Sequence, residues 1–141
     1  WLDSKHVLCM KAHGSSYELV AVGLDGTEYK LDFATENPVI LGVSDGLIAY
    51  GNEANDTIYL AQFNHSEKLE EVAEFKINGT FRIRPGISPF SPDGKKFAYV
   101  SVPEDNYYGR DIVVIDLDTM MATSVIANDT QAISSWIYHT K

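Results

Sequence analysis

The chain holds one cysteine, five prolines and eleven Lys and Arg residues, and each scarcity removes a class of protein. Cys9 alone cannot close an intrachain disulfide, so the fold is not expected to be a small disulfide-stapled scaffold. Twenty Asp and Glu outweigh the basic residues to a formal charge of -9, which repels a phosphate backbone, so no nucleic-acid partner is expected. No apolar run approaches the roughly 20 residues that a membrane helix needs, so membrane insertion is not expected either. Trp1 opens neither the basic nor the apolar segment of a signal peptide. What is present is 45% apolar and 11% aromatic over 141 residues, enough for one core and too short for two ordinary domains.

Self-similarity organises the chain. The sharpest segment spans residues 87–126, where Ser91-Pro92-Asp93-Gly94 places Pro at the second and Gly at the fourth position of a type I turn. A strand is expected at 96–102, then a polar loop, an apolar strand at 112–115, a polar turn at 116–119 and a last strand at 122–126. The same order fits the middle of the chain, with Val43-Ser44-Asp45-Gly46 as the turn and strands at 47–50, 57–63 and 72–77. It fits the beginning with strands at 6–10, 17–22 and 27–31 and a turn at Leu24-Asp25-Gly26. Phe90 and Trp136, 46 positions apart, stand at the same place in their units, as does Trp1 in the first. A spacing of roughly 40 to 50 residues is that of propeller blades. Short strands between Gly, Asp, Asn, Ser and Pro turns argue for an all-β fold. Residues 64–76 also satisfy a helical spacing with an Asn64–Glu67 capping pair, but the repeat favours a strand there.

The string SPDGKKFAYVS followed by DIVVIDLDT resembles the repeat of TolB-type, or WD-like, β-propellers over residues 87–126. Ser91, Pro92, Asp93 and Gly94 carry the signature directly. Ser44, Asp45 and Gly46 keep part of it, and Leu2, Asp3 and Ser4 lack its Pro and Gly. The resemblance implies a radial array of four-stranded sheets, with six or seven blades, that serves as a protein-binding platform or as the gating domain of prolyl-oligopeptidase-like enzymes. On that reading the chain is a single propeller segment of about three antiparallel blades, each of ~45 residues. The approximate units are 1–36, 37–84 and 85–128, with the start of a further unit at 129–141. Closed propellers have at least four blades, so the segment is expected to belong to a larger six- or seven-bladed ring.

The chemistry sought in the sequence is sparse. There is no Gly-x-Ser-x-Gly elbow, and His13-Gly14-Ser15-Ser16 reads as a loop. His6, His13, His65 and His139 are dispersed without zinc-ligand spacing, and Cys9 lies in an apolar strand. The acidic stretches 52–56, 104–105 and 116–118 offer oxygens but match no EF-hand loop, and Asp and Asn in turns cap their own backbone. Neither a cofactor nor a metal is therefore expected. Tyr107 and Tyr108, in an inter-strand loop of the sharpest unit, are the candidate partner-binding residues. Four of the seven asparagines, Asn55, Asn64, Asn78 and Asn128, stand in Asn-x-Ser/Thr sequons at expected turns, which favours an extracytoplasmic location.

The leading expectation is a non-catalytic protein–protein interaction or structural propeller segment of a secreted or cell-envelope TolB-like protein. Its partners would be another protein or the remaining blades of the parent chain. One alternative is the gating portion of a prolyl-oligopeptidase-like serine peptidase whose catalytic domain lies outside this chain. A second is a structural subunit that self-assembles as a homo-oligomer.

Overall fold

A computed structural model describes residues 1–14, 16–52, 54, 56–64, 66, 68–83, 88–104 and 110–126. Among these residues there are eleven strands and no helix: β1 (His6–His13), β2 (Ser16–Gly23), β3 (Glu28–Lys30), β4 (Val39–Ser44), β5 (Leu47–Gly51), β6 (Thr57–Phe63), β7 (Leu69–Lys76), β8 (Thr80–Arg82), β9 (Lys96–Val102), β10 (Asp111–Asp116) and β11 (Met121–Ile126). The all-β reading holds. Residues 69–76 form a strand because Ala73 and Phe75 meet the core at a two-residue spacing, paired to β6 from Phe63↔Leu69 to Thr57↔Lys76.

The strands form three antiparallel sheets, each a meander of sequential neighbours: β1-β2-β3, β4-β5-β6-β7 and β8-β9-β10-β11. Two strands lie outside the sequence expectation. β4 takes in Val43 and Ser44, which the repeat assigned to a turn. The real turn is the two-residue Asp45-Gly46, whose φ values of 47° and 80° suit a hairpin that follows the strand twist. β8 is only three residues long, with one buried residue, Phe81, between two exposed ones, too little for a pattern to register. The change to the third sheet falls between Lys76 and Thr80.

The middle sheet is apolar on both faces, which explains the near-continuous burial of β5 and β6. Towards the first sheet it presents Ile48, Tyr50, Ala61 and Phe63, which close over Leu2, Ala21 and Leu31. Towards the third it presents Ala49, Ile58 and Leu60, which meet Phe81, Phe90, Phe97, Tyr99, Val113 and Ile115. Burying side chains of this size stabilises by about 1.5–3 kcal/mol each. Tyr50 shows how polar atoms are kept satisfied within this packing. Its ring stacks on Tyr59 at 5.0 Å and meets Phe33 edge-on at 4.9 Å, while its hydroxyl accepts the Ala34 N–H at 3.2 Å.

Candidate functional site

Three turns stand at corresponding places in the three sheets, just ahead of β1, β5 and β9. In the third, the Gly94 N–H donates to the Ser91 carbonyl at 2.8 Å, and Gly94 takes φ 69°. The Ser91 hydroxyl donates to Asp93 Oδ1 at 2.6 Å and accepts the Lys96 N–H at 2.9 Å, while Asp93 also accepts the Lys95 N–H. Phe90, buried before the turn, meets Phe97 edge-on at 5.2 Å. The first turn uses the same carboxylate device without Pro or Gly: Asp3 Oδ1 accepts the N–H groups of Lys5 and His6 at 2.7 and 2.8 Å. Between them, the Gly46 N–H donates to the Leu2 carbonyl at 2.7 Å, tying the opening of the first sheet to the hairpin of the second.

Along this rim lies a cleft of about 930 Å³ between the first and second sheets, lined by residues that include Asp3, Lys5, His6, Asp25, Tyr29, Asp45, Gln62 and Phe63. Its floor is aromatic. The His6 ring packs edge-on against Phe63 at 5.0 Å and Tyr29 at 5.5 Å. His6 Nδ1 lies 2.9 and 3.0 Å from the two oxygens of Asp3, so the carboxylate orients the imidazole. The Gln62 amide donates to the carbonyls of Asp45 and Phe63. Leu24, 70% exposed, forms a lip. A smaller groove of about 370 Å³ shares Asp45 and Gln62 and continues to Pro92, Asp93 and Gly94 of the third sheet. The volume of the main cleft falls in the range of small-ligand and peptide side-chain sites.

The mouth is anionic. Partial burial pushes the Asp3 carboxyl up, but hydrogen bonds from the Lys5 N–H and from the ring and N–H of His6 outweigh it, leaving its pKa below the ordinary value. Asp25 is lowered by the N–H and hydroxyl of Thr27. Such an arrangement favours a cationic or donor-rich group entering over an aromatic floor.

Of the residues singled out in the sequence, Ser91, Pro92, Asp93 and Gly94 form the turn just described, and the last three reach the smaller groove. Tyr107, Tyr108, Asn55 and Asn128 lie outside the described residues. Asn64 lines the cleft, and its Oδ1 accepts the N–H groups of Ser66 and Lys68. Asn78 is exposed between β7 and β8. Cys9 is a free, half-buried thiol. The acidic stretches act as turn caps where described: Asp116 accepts from Asp118 and Thr119, and Asn52 holds Asp56 and Thr57. Among the described residues, no three His, Cys, Asp or Glu side chains gather as metal ligands.

Sequence reading missed the Asp3–His6 pair and the cleft itself. The one local signal is an Asp three positions before a His at the start of an apolar strand. The rest of the lining comes from residues some 20 to 60 positions away. No protein-family model matches the chain, and no curated protein or solved structure matches it either.

Proposed function

We propose that the chain is a set of propeller-type blades, similar to those of TolB-like proteins, and that it works as a non-catalytic protein-binding segment of a secreted or cell-envelope protein. The observation that carries this reading is the rim where the turns before β1, β5 and β9 line two adjoining grooves with carboxylates, the larger of them over the rings of His6, Tyr29 and Phe63. A surface of this kind suits a basic side chain of a partner protein, recognised by charge at the mouth and by ring contact at the floor. Asn78, exposed in a turn, supports the extracytoplasmic part of the reading.

The test is to pan a random dodecapeptide display library on the folded chain and compare the selected peptides on the Asp25→Asn/Asp45→Asn variant. That variant removes two charges and keeps the turn hydrogen bonding. Peptides centred on Arg or Lys are expected, bound at micromolar Kd and weakened about tenfold in the variant, a difference of about 1.4 kcal/mol. Selected peptides that bind both forms equally, or no enrichment, would overturn the reading. So would a hydrolase or transferase activity of the chain that His13→Ala or Cys9→Ala abolishes.

A further inference from the structure

Among the described residues that line the cleft, His6 carries the one side chain whose charge changes between pH 5 and 8. The carboxylates of Asp3, Asp25 and Asp45 and the ammonium of Lys5 keep their charge across that interval, which leaves the lining with two negative charges in excess. His6 Nδ1 lies 2.9 and 3.0 Å from the oxygens of Asp3, which can only accept, so Nδ1 carries the proton of the neutral ring. Among the described residues this is the only hydrogen bonding of the imidazole, and Nε2 is left to take a second proton. The side chain is 12% exposed, and Tyr29 of β3 and Phe63 of β6 hold it edge-on. A charge gained by the ring therefore stays at the floor of the cleft instead of swinging out to solvent.

The groups that share the cleft with His6 come from every element packed around it. The opening turn supplies Asp3 and Lys5, the turn after β2 supplies Asp25, β3 supplies the neutral phenol of Tyr29, and the hairpin before β5 supplies Asp45. β6 contributes the uncharged Gln62 and Phe63. Asp25 is held low first by the N–H and hydroxyl of Thr27 and, to a smaller extent, by the charge of His6, so a proton on the imidazole is felt at the mouth. A proton taken from solvent onto Nε2 turns the Asp3–His6 contact into an ion pair and cancels one of the two excess negative charges. In a wet cleft, one unit charge within a few ångströms of a bound cation changes its affinity about fivefold.

We propose that His6 is a proton-operated switch on the cleft: with a neutral imidazole the cleft takes a cationic side chain of a partner protein, and acidification towards pH 5 weakens that binding. The switch rests on the reading of the cleft as a cation site. It needs no movement of the chain, because the ring is already bonded to Asp3 and packed on Tyr29 and Phe63 in the neutral state. The coupling is reciprocal, so a bound cation must lower the proton affinity of His6 by the same factor that the proton lowers cation affinity.

The experiment titrates the intact chain at pH 7.5 and at pH 5 with an acetylated and amidated Gly-Arg-Gly peptide, whose guanidinium stays charged at both. Amide and imidazole resonances are followed. Saturable shifts of the cleft amides are expected at both pH values, with Kd about fivefold weaker at pH 5. Saturating peptide should lower the proton affinity of the His6 ring by the same factor. His6→Phe keeps an aromatic ring against Tyr29 and Phe63 and the backbone N–H to Asp3, and should bind with one Kd at both pH values. His6→Asn, which keeps a side-chain N–H for Asp3 and cannot titrate, should behave alike and guards against a packing effect of the first variant. His65→Gln removes the imidazole next in sequence to Asn64 of the lining, itself outside the described residues, and should leave the pH dependence intact. Equal Kd at the two pH values in the parent chain would overturn the switch and leave the cation site standing. So would a His6 titration that the peptide does not move, or a pH dependence that survives both His6 variants. Absence of saturable shifts at both pH values would overturn the cation site and the switch together.

Discussion

Gly51 at the end of β5 lies against the ring of Phe81 from β8, so that a Cβ on Gly51 would stand 2.4 Å from Phe81 Cζ. The contact joins the second sheet to the third, and Phe81 is only 4% exposed, leaving the ring little room to withdraw. Gly51→Ala is therefore expected to cost about 1–3 kcal/mol through overpacking. A lower urea midpoint with an unchanged slope is the measurement. Phe81→Leu placed in the Gly51→Ala background should recover part of the loss, a positive coupling that independent sites would not show.

A second glycine is required for a different reason. Gly46 has φ 80°, and a Cβ there would lie 2.5 Å from Gln62 Nε2. Gly46→Ala should therefore cost about 1–2 kcal/mol through backbone strain and displacement of the Gln62 amide from the Asp45 carbonyl. It should also disturb the Gly46–Leu2 hydrogen bond beneath the cleft. Asp45→Asn is expected to stay within about 0.5 kcal/mol, because Asn tolerates the left-handed conformation that Asp45 adopts at φ 47°. Thermal unfolding of the two variants side by side checks the contrast.

The turns and the central strands were legible in the sequence because their chemistry is local. Ser91-Pro92-Asp93-Gly94 carries its own hydrogen bonds, and β6 and β9 have the bounds that their apolar runs suggested. The first strands of the second and third sheets were hidden for physical reasons. β4 meets Asp45-Gly46 with no polar residue but Ser44 to mark its end, so its last two residues passed for turn. β8 is held by one side chain, Phe81, whose partner Gly51 is 30 positions earlier. The cleft was hidden for the same reason on a larger scale. His6 owes its orientation to Asp3 nearby and its packing to Tyr29 and Phe63, and nothing in the spacing of those residues marks them as neighbours.

Asp116 links the third sheet to pH on the acid side. Its carboxylate accepts the Lys96 ammonium at 2.9 Å together with the N–H and hydroxyl of Thr119, and these bonds hold its pKa at about 2 against an ordinary 3.8. A depressed folded-state pKa contributes stability that is present above the unfolded value and lost as pH falls. The contribution of Asp116 should therefore be full above about pH 4 and disappear towards pH 2. Carbon-detected titration of its side chain should show a midpoint near 2, and Lys96→Ala should move that midpoint up towards 3.8. Because the pair is solvent-exposed, added salt should weaken the shift.

Tyr99 sets the opposite limit. Its ring lies in the core between the second and third sheets, 4% exposed, and burial raises its phenol from 10.0 to about 12. A raised folded-state pKa means that the neutral form is favoured by folding, so its contribution is complete below pH 10 and is lost as pH climbs towards 12. The chain should unfold in that window as Tyr99 is forced to ionise; burial also raises the phenol of Tyr50 above its ordinary value. Absorbance at the phenolate band should rise in the same pH interval as the loss of β-sheet circular dichroism. Tyr99→Phe keeps the ring and removes the ionisable group, so it should hold stability at pH 7 within about 1 kcal/mol and move the alkaline transition to higher pH. If Tyr99→Phe unfolds at the same alkaline pH as the parent chain, the phenol of Tyr99 is not what limits its stability there.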